Sequence, residues 1–252
     1  MDKNMAFITL TPENVMSEHL CCAIADKKHQ TGVNDKRNWL AERIKEGHVF
    51  RKLDAQGKVF IEYATLEKAW VPVTGDNYFY IYCLWVSGSY KGKGYGKELL
   101  QSCIDDAKAQ GKSGICLLSS QKKKPFLSEK KFMLKYGFKV VDTINDEYEL
   151  LALSFDGTQP QFTSNVWKQS IEGKELTIYY GVQCPYIPNC IEQIYNYCEN
   201  NQIPLRLVEI DTLEKAKQLP CIFNNWAVFY NGKFETVHLL NEGLLKKLLQ
   251  LK

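Results

Sequence analysis

The chain has 252 residues, of which 45% are hydrophobic and 24% are charged, and its formal net charge is +3. This length favours two domains, and the hydrophobic content is sufficient for packed cores. The charge excess is too small to indicate a nucleic-acid partner, and no segment approaches the ~20 apolar residues of a membrane-spanning helix.

The predicted elements of the first part of the chain alternate between strands and helices. In chain order they begin with a strand at Phe7–Leu10, a helix start at Thr11-Pro12-Glu13, a helix over 35–46, and a hairpin of strands 49–53 and 58–65. A strand at Tyr78–Val86 and a helix with the apolar stripe Leu99, Leu100, Cys103, Ile104 and Ala107 follow. The last elements are a strand at 114–118, a helix near 128–136, and strands at 138–142 and 148–155. The turn residues Asp156-Gly157-Thr158 then break the pattern. We therefore predict a first domain over 1–155, a linker over 156–172 and a second domain over 173–252.

A glycine-rich loop between the strand Tyr78–Val86 and the next helix is the most informative feature of the chain. Three glycines at alternate positions follow the strand, in the run Lys91-Gly92-Lys93-Gly94-Tyr95-Gly96-Lys97. Glycines let a backbone approach a ligand closely, and the free amides at a helix start favour an anion. The loop is not a Walker motif, because Glu98 replaces the required hydroxyl, and the glycine spacing differs from that of a dinucleotide fingerprint. The glycine loop therefore predicts the binding of a ligand that contains a pyrophosphate group.

The same residues resemble the acetyl-coenzyme-A signature of the GNAT family of N-acetyltransferases, whose core is Arg/Gln-x-x-Gly-x-Gly/Ala. Val86 ends the strand as in that family, Lys91 takes the place of Arg or Gln, and Gly94 and Gly96 take the two glycine places. The resemblance covers about the first 155 residues and implies an α/β fold with a mixed sheet splayed at the cofactor strand. It also implies acetyl-CoA as the cofactor without a metal. The resemblance implies that acetyl-CoA contacts the backbone of Leu84, Trp85 and Val86 and the residues of the loop. These loop residues are Lys91, Gly92, Lys93, Gly94, Tyr95, Gly96 and Lys97.

A second resemblance concerns the residues that transfer protons. Leu134-Lys135-Tyr136-Gly137-Phe138 resembles the helix end of the family's later motif, with Gly137 as a left-handed cap and Phe138 in the core. In many members a Tyr four residues before this glycine protonates the leaving thiolate, and here Met133 stands in that place. Tyr136 or a water is the expected substitute.

Glu62 is the candidate base, because it alternates with apolar residues along its predicted strand. Surrounded by Phe60, Tyr63 and Trp70, its carboxyl would have a raised pKa, as a base near neutral pH requires. An outward-facing glutamate on a hairpin is the alternative. The four histidines have no mutual metal-ligand spacing and are expected at the surface or satisfied in a core.

The second predicted domain is a smaller α/β unit. A strand at 176–180 leads to Cys184-Pro185-Tyr186 and a helix, then come a strand at 205–210, a helix at 212–218, a hairpin across Asn231-Gly232 and a final helix at 244–251. A thiol at the strand-to-helix turn with a later hairpin resembles a thioredoxin-like fold, although Ile187 takes the place of the second redox cysteine. Over nearly its full length the chain also resembles acetyltransferases with a YoaP-type C-terminal domain.

The sequence thus predicts an N-acetyltransferase that moves an acetyl group from acetyl-CoA to an amine of a small molecule or peptide. Two alternatives remain open, namely an acyl-CoA-binding or regulatory module without catalysis and a thiol redox protein using Cys184 and Cys190. Nine cysteines without a regular framework, and an N-terminus that lacks a secretory signal at Met1-Asp2-Lys3-Asn4, indicate a cytoplasmic location. The acceptor and the oligomeric state do not follow from the sequence.

Overall fold

The computed structural model of the protein describes residues 6–20, 23 and 26–250. The predictions that concern Met1 to Asn4 and Leu251 lie outside these residues. By the contacts among its residues, the chain divides into two compact units. The first contains the described residues up to position 22 together with 40–69 and 73–162, and the second contains the described residues of 23–39 together with 70–72 and those from 163 onward.

The first unit is built on a seven-stranded mixed sheet. Its strands are β1 (Phe7–Thr9), β2 (Val49–Leu53), β3 (Val59–Thr65), β5 (Tyr78–Val86), β6 (Gly114–Ser120), β7 (Lys139–Ile144) and β8 (Tyr148–Ser154), in the spatial order β1-β2-β3-β5-β6-β8-β7. Neighbours are antiparallel except β5 and β6, which run parallel and are connected through helix α2 (Tyr95–Ala109). A separate pair is formed by β4 (Val73–Thr74) and β9 (Gln161–Phe162). This mixed sheet confirms the predicted fold class.

Helix α2 packs one apolar face against the sheet. Its buried residues are Leu99, Leu100, Cys103, Ile104 and Ala107, which recur at helical spacing. They share a core with side chains of β3, β5, β6 and β8, and with Met133 of the short helix α3 (Lys130–Leu134). Gly137 has a φ of +88° and Phe138 is buried, which confirms the left-handed cap and the core residue predicted there.

The second unit contains a four-stranded sheet covered on both faces. Its strands are β10 (Leu176–Tyr180), β11 (Leu205–Glu209), β12 (Trp226–Tyr230) and β13 (Lys233–Thr236), in the order β11-β10-β12-β13, with β10 and β11 parallel. Its helices are α4 (Ile187–Asn200), α5 (Leu213–Lys217) and α6 (Glu242–Leu248). Trp226 and Val228 face one core while Ala227 and Phe229 face the other, as alternation along a strand requires. The thioredoxin-like classification of this β-α-β-α-β-β-α unit stays a prediction.

Of two helix predictions in the N-terminal part, one is confirmed with a different start and the other was wrong. Helix α1 (Gln30–Lys45) begins five residues before the predicted start, after a 3₁₀ turn at Lys27–His29. Gly32 and Asn34 are weak helix formers, so packing of the buried Val33 decides the helix there. Residues 12–17 form hydrogen-bonded turns and no assigned helix, although the amides of Val15 and Glu18 each bond to the carbonyl four residues earlier.

A buried polar contact ties the first three strands to α2. The hydroxyl of Tyr63 on β3 donates to the carboxylate of Asp106 on α2, and the guanidinium of Arg51 on β2 donates to the same oxygen at 2.9 Å. Arg51 also reaches Thr9 Oγ1 of β1 at 3.1 Å. The carboxylate therefore joins three strands to one helix, and burial raises the pKa of the Tyr63 phenol further above its ordinary value.

We expect Tyr63→Phe to lower the free energy of unfolding by about 1.5 kcal/mol, because it removes a buried hydrogen bond to a charged group. Urea unfolding followed by far-ultraviolet circular dichroism measures this. Tyr195→Phe is the control, since the Tyr195 side chain is 49% exposed and its hydroxyl is expected to contribute little. Equal stabilities for the two variants would show that the Asp106 contact does not stabilise the unit.

Gly32 gives a prediction about α1 within the second unit. A glycine-to-alanine change inside a helix ordinarily stabilises by about 0.5–1 kcal/mol. A Cβ on Gly32, however, would lie 2.1 Å from the carbonyl oxygen of Pro185, so we expect Gly32→Ala to destabilise the protein. Gly243→Ala in α6 is the control, because its Cβ would meet nothing closer than Asn241 Oδ1 at 3.5 Å. Thermal unfolding should move in opposite directions for the two variants, and a raised midpoint for both would contradict the close approach.

Candidate functional site

The glycine loop lies where β5 ends and α2 begins. Gly94 is the residue that precedes the helix and has a φ of +91°, while Gly88 and Gly92 have φ values of +62° and +75°. These are left-handed conformations that favour glycine. The amides of the first turn of a helix have no partner within it, so the start of α2 offers donors to a ligand.

The surroundings of the loop leave space for an anion. A Cβ built on Gly92 would meet no atom within 4 Å, and one on Gly94 would meet only Glu98 Oε1 at 3.7 Å. The side chains of Lys91, Lys93 and Lys97 are exposed around it. The backbone can therefore be approached closely by a phosphate in a region where three cations offset its charge.

Aromatic packing holds the loop in place. The ring of Tyr90 lies so close to the β2–β3 turn that a Cβ on Gly57 would be 2.5 Å from its Cε2 atom. Tyr90 and Tyr95 pack edge to face at 6.0 Å, and Lys93 Nζ lies 5.9 Å from the Tyr90 ring centre. The loop is thus anchored to the sheet although several of its residues are glycines.

The two strands beside the loop diverge. Among the described residues, β5 pairs with β6 over Tyr78–Tyr80 only, whereas its pairing with β3 extends from Phe79 to Val86. Leu84, Trp85 and Val86 therefore come after the part of β5 that pairs with β6. This separation of the two strands is the splay that the sequence resemblance implied. Burial raises the pKa of Tyr80, which lies at the end of the segment paired with β6.

A β-bulge distorts β5 within the same segment. Glu62 on β3 lies opposite Cys83, while the next residue, Tyr63, lies opposite Ile81. Tyr82 is therefore the extra residue on β5. Bulges change the direction of a side chain and are frequent beside active sites, so this distortion marks the diverging end of β5 as the place to look for chemistry.

Glu62 lies next to the bulge and is fully buried, with an exposed fraction of 0%. Its Oε1 atom is 3.0 Å from Nε2 of His48, whose side chain is also buried. The alternative of an outward-facing glutamate was therefore wrong. The predicted surroundings were partly wrong as well, because the Tyr63 side chain belongs to the core on the α2 side of the sheet.

Two strands and a helix end position His48. The backbone amide of His48 bonds to Arg43 O at 3.0 Å and that of Gly47 bonds to Ile44 O at 3.0 Å, with Gly47 at a φ of +92°. This is a Schellman motif, which ends α1 and starts β2 at the histidine. The ring of His48 also lies 5.1 Å from that of Tyr82, so the histidine contacts both Glu62 and the bulge.

The residues of the predicted proton donor lie on the other face of the sheet. Met133 is 1% exposed and belongs to the core beneath α2. Tyr136 is partly buried, and its ring packs on Phe132 at 4.9 Å. A Cβ on Gly96 would be 3.6 Å from the Phe132 ring, so Tyr136 is one ring away from the glycine loop. The structure does not bring Tyr136 together with Glu62, and Phe132 is a neighbour of the loop that the sequence reading missed.

Neither Cys184 nor Cys190 of the second unit is in a disulfide. Cys190 Sγ donates to Leu240 O at 3.0 Å. Burial raises the pKa of Cys190 to about 12, which suppresses the reactive thiolate. No helix in the described part of the chain is long and apolar enough to cross a membrane.

Comparisons with known proteins agree with this geometry. Residues 13–138 match the family model described as the acetyltransferase (GNAT) family, and residues 204–247 match the model described as YoaP-like. A relative from Bacillus subtilis (strain 168), which carries the name uncharacterized N-acetyltransferase YoaP, is 39% identical over 247 residues, covering 97% of this chain and 98% of the relative.

Solved structures similar to the chain include the PaiA N-acetyltransferase of Thermoplasma acidophilum in complex with coenzyme A. It is 18% identical, with a TM-score of 0.41, over 60% of this chain and 100% of that one. A GNAT family acetyltransferase of Brucella melitensis in complex with acetyl-CoA is 14% identical, with a TM-score of 0.39, over 63% of this chain and 94% of that one. Because the family model matches residues 13–138 and the Bacillus subtilis relative matches over almost the full length, this chain belongs to the GNAT family of acetyltransferases.

Proposed function

We propose that the protein transfers the acetyl group of acetyl-CoA to an amine of a small molecule or peptide. The observation that carries the proposal is the glycine loop at the start of α2, placed directly after the segment in which β5 leaves β6. In such an arrangement the loop can bind a pyrophosphate at one end of the gap between β5 and β6. The unpaired edge of β5 is then available to the rest of the ligand along that gap. When bound, acetyl-CoA supplies an activated thioester carbonyl.

The chain's own residues have three tasks in this proposal. The backbone amides of the first turn of α2, with Lys91, Lys93 and Lys97, bind the pyrophosphate. The backbone of Leu84, Trp85 and Val86 binds the extended arm of the cofactor and orients the carbonyl group. The third task is proton transfer, since an amine attacks only in its neutral form.

For proton transfer we propose Glu62 as the source of basicity, acting in its buried pair with His48. The support is its position beside the bulge of β5 and its hydrogen bond to the histidine. For the protonation of the leaving sulfur we retain Tyr136 or a water, because Tyr136 is close to the loop through Phe132. We place the reaction in the cytoplasm, where thiols stay reduced, as the seven cysteines of the described residues that form no disulfide are.

Incubation with acetyl-CoA and a panel of amines, namely butylamine, tyramine, lysine and a short peptide with a free α-amino group, tests the proposal. Mass spectrometry should detect a product heavier by one acetyl group. An acyl-CoA-binding or regulatory module, which Met133 in place of the family's tyrosine suggests, would bind coenzyme A without forming any product. Retained transfer in a Cys184→Ser variant would separate the acetyltransferase from a thiol redox protein.

We expect Gly94→Val to weaken coenzyme A binding by more than about tenfold, because a β-branched residue at a φ of +91° displaces the backbone that binds the phosphates. Isothermal titration calorimetry measures the dissociation constant. Gly111→Val is a matched control at the other end of α2, where the φ is +62° and a Cβ would meet no atom within 4 Å. An unchanged affinity in a folded Gly94→Val variant would refute the phosphate site.

We expect Glu62→Gln to lower kcat by about 10²–10⁴-fold, the range for loss of a general base, while the KM for acetyl-CoA stays the same. The amide keeps the shape of the carboxylate and can still accept a hydrogen bond from His48. Steady-state kinetics with the panel amine of highest turnover measures the effect. If more than half of the activity remained at every pH, proton transfer would have to be assigned to another group.

A further inference from the structure

We propose that the turn between β2 and β3 holds the glycine loop in the conformation that binds the pyrophosphate, with Gly57, Tyr90 and His19 as positioning residues. The inference rests on the proposed binding of coenzyme A and adds the residues that prepare its site. These residues act on the cofactor through the backbone of the loop, so their test is the affinity for coenzyme A.

The segment that leads into the loop is attached to the turn at two points. The backbone amide of Ser87 donates to the carbonyl oxygen of Lys58, the residue after Gly57, at 3.1 Å. Three residues later the ring of Tyr90 lies against Gly57 itself, and this ring borders the core beneath α2. A backbone contact and a side-chain contact with the turn therefore both precede Lys91, the first residue of the loop.

The close approach of the ring explains why a glycine occupies position 57. The φ of Gly57 lies outside the left-handed region, so its backbone conformation does not demand glycine. A Cβ there would lie 2.5 Å from Cε2 and 2.9 Å from Cζ of Tyr90, whereas carbon atoms in contact are about 3.5–4.0 Å apart. A methyl group at this position would therefore displace the ring by about 1 Å.

His19 holds the turn at the same residue. Its side chain is buried, and its Nε2 atom lies 2.7 Å from the carbonyl oxygen of Gly57. A carbonyl oxygen only accepts hydrogen bonds, so Nε2 is the donor. The neighbouring Glu18 binds the ammonium group of Lys52 on β2 at 2.8 Å, which attaches this part of the chain to the strand before the turn. The turn is thus held against the Tyr90 ring by a hydrogen bond that is partly shielded from water.

The Tyr90 ring also connects the two ends of the glycine loop. It packs edge to face with Tyr95, the first residue of α2, which in turn contacts Phe7 of β1 with ring centres 6.3 Å apart. Lys93 Nζ lies 5.9 Å from the centre of the Tyr90 ring. A displacement of that ring therefore changes the positions of both loop ends and of one of the cations proposed to bind the pyrophosphate.

A loop that is ordered before binding gives a ligand higher affinity. The backbone of a glycine loses more conformational freedom on ordering than that of any other residue. Because contacts within the protein already order the loop around Gly92 and Gly94, the free energy of binding does not have to offset that loss. A displaced loop also loses hydrogen bonds from its amides to the phosphates, and such charge-assisted bonds are each worth about tenfold or more in affinity.

We expect Gly57→Ala to raise the dissociation constant of coenzyme A by about tenfold in isothermal titration calorimetry, because the displaced ring moves the loop. Tyr90→Leu completes a double-mutant cycle, since leucine lacks the Cε2 and Cζ atoms that the new methyl group would meet. In the Tyr90→Leu background, Gly57→Ala should change the dissociation constant by less than about twofold. An unchanged affinity in Gly57→Ala alone, or the same loss in both backgrounds, would overturn the inference.

His19 is tested by one variant that keeps its hydrogen-bond donor and one that does not. The side-chain amide of glutamine places an N–H group near the position of Nε2, whereas leucine has no donor. We expect His19→Leu to weaken coenzyme A binding by about fivefold and His19→Gln by less than about twofold. Tyr78→Phe is the control for lost stability, because it removes a hydroxyl that donates to Thr158 O at 2.5 Å at the start of β5, the opposite end of the strand from the loop. Equal affinities in His19→Leu and Tyr78→Phe, or in the two His19 variants, would contradict the positioning role.

Limited digestion with trypsin tests the support of the loop without the cofactor. Lys91 and Lys93 are exposed, and cleavage after them reports how often the loop leaves its ordered conformation. In the absence of coenzyme A, Gly57→Ala should raise the initial rate of cleavage at these two sites several-fold, and an unchanged rate would overturn the inference. Faster cleavage in Gly57→Ala, together with no coenzyme A binding by the unaltered protein, would instead count against the proposed function and leave the support of the loop intact.

Discussion

The limited pairing between β5 and β6 is the constraint on which the site depends. Strand β5 pairs with β3 from Phe79 to Val86, apart from the bulge residue, but with β6 over three residues, so its β6 edge opens after Tyr80. Parallel strands need a crossover connection, and α2 supplies it. The loop that leads into the helix therefore follows the end of β5. One topological feature thus places the glycine loop, the open strand edge and the bulge on the same strand.

The glycine loop could be predicted from the sequence because its conformation requires particular residues. The backbone has left-handed φ values at Gly88, Gly92 and Gly94, and such values favour glycine over other residues. Glycines in the sequence therefore indicate the conformation of the loop. The same holds for Gly137 before Phe138. The start of α1 could not be predicted, because Gly32 and Val33 are ordered by packing against the second unit's own residues and not by helix propensity. The two-residue strands β4 and β9 are too short to show any alternation.

The pairing of His48 with Glu62 was hidden in the sequence for a different reason. The two residues are fourteen positions apart on neighbouring strands, and nothing in their spacing resembles a known motif. The register of β2 against β3, in which Phe50 lies opposite Glu62, brings them to the same face of the sheet. A signal existed in Gly47, since a glycine after a helical run marks the helix end and so places His48 at the start of the next strand. The sequence analysis expected the histidine at the surface or satisfied in a core, and it did not identify Glu62 as a partner.

The burial of Glu62 and His48 on the face of the sheet away from α2 has an energetic consequence. Burying an ionised carboxylate costs several kcal/mol unless it is paired and hydrogen-bonded. The imidazole of His48 is one partner of Glu62, at 3.0 Å, so removing it would leave part of that cost without compensation. The stacked rings of Phe50 and Phe60, 4.8 Å apart, show that this face of the sheet can form an apolar core. The chain therefore keeps a polar pair at a position where apolar packing is available.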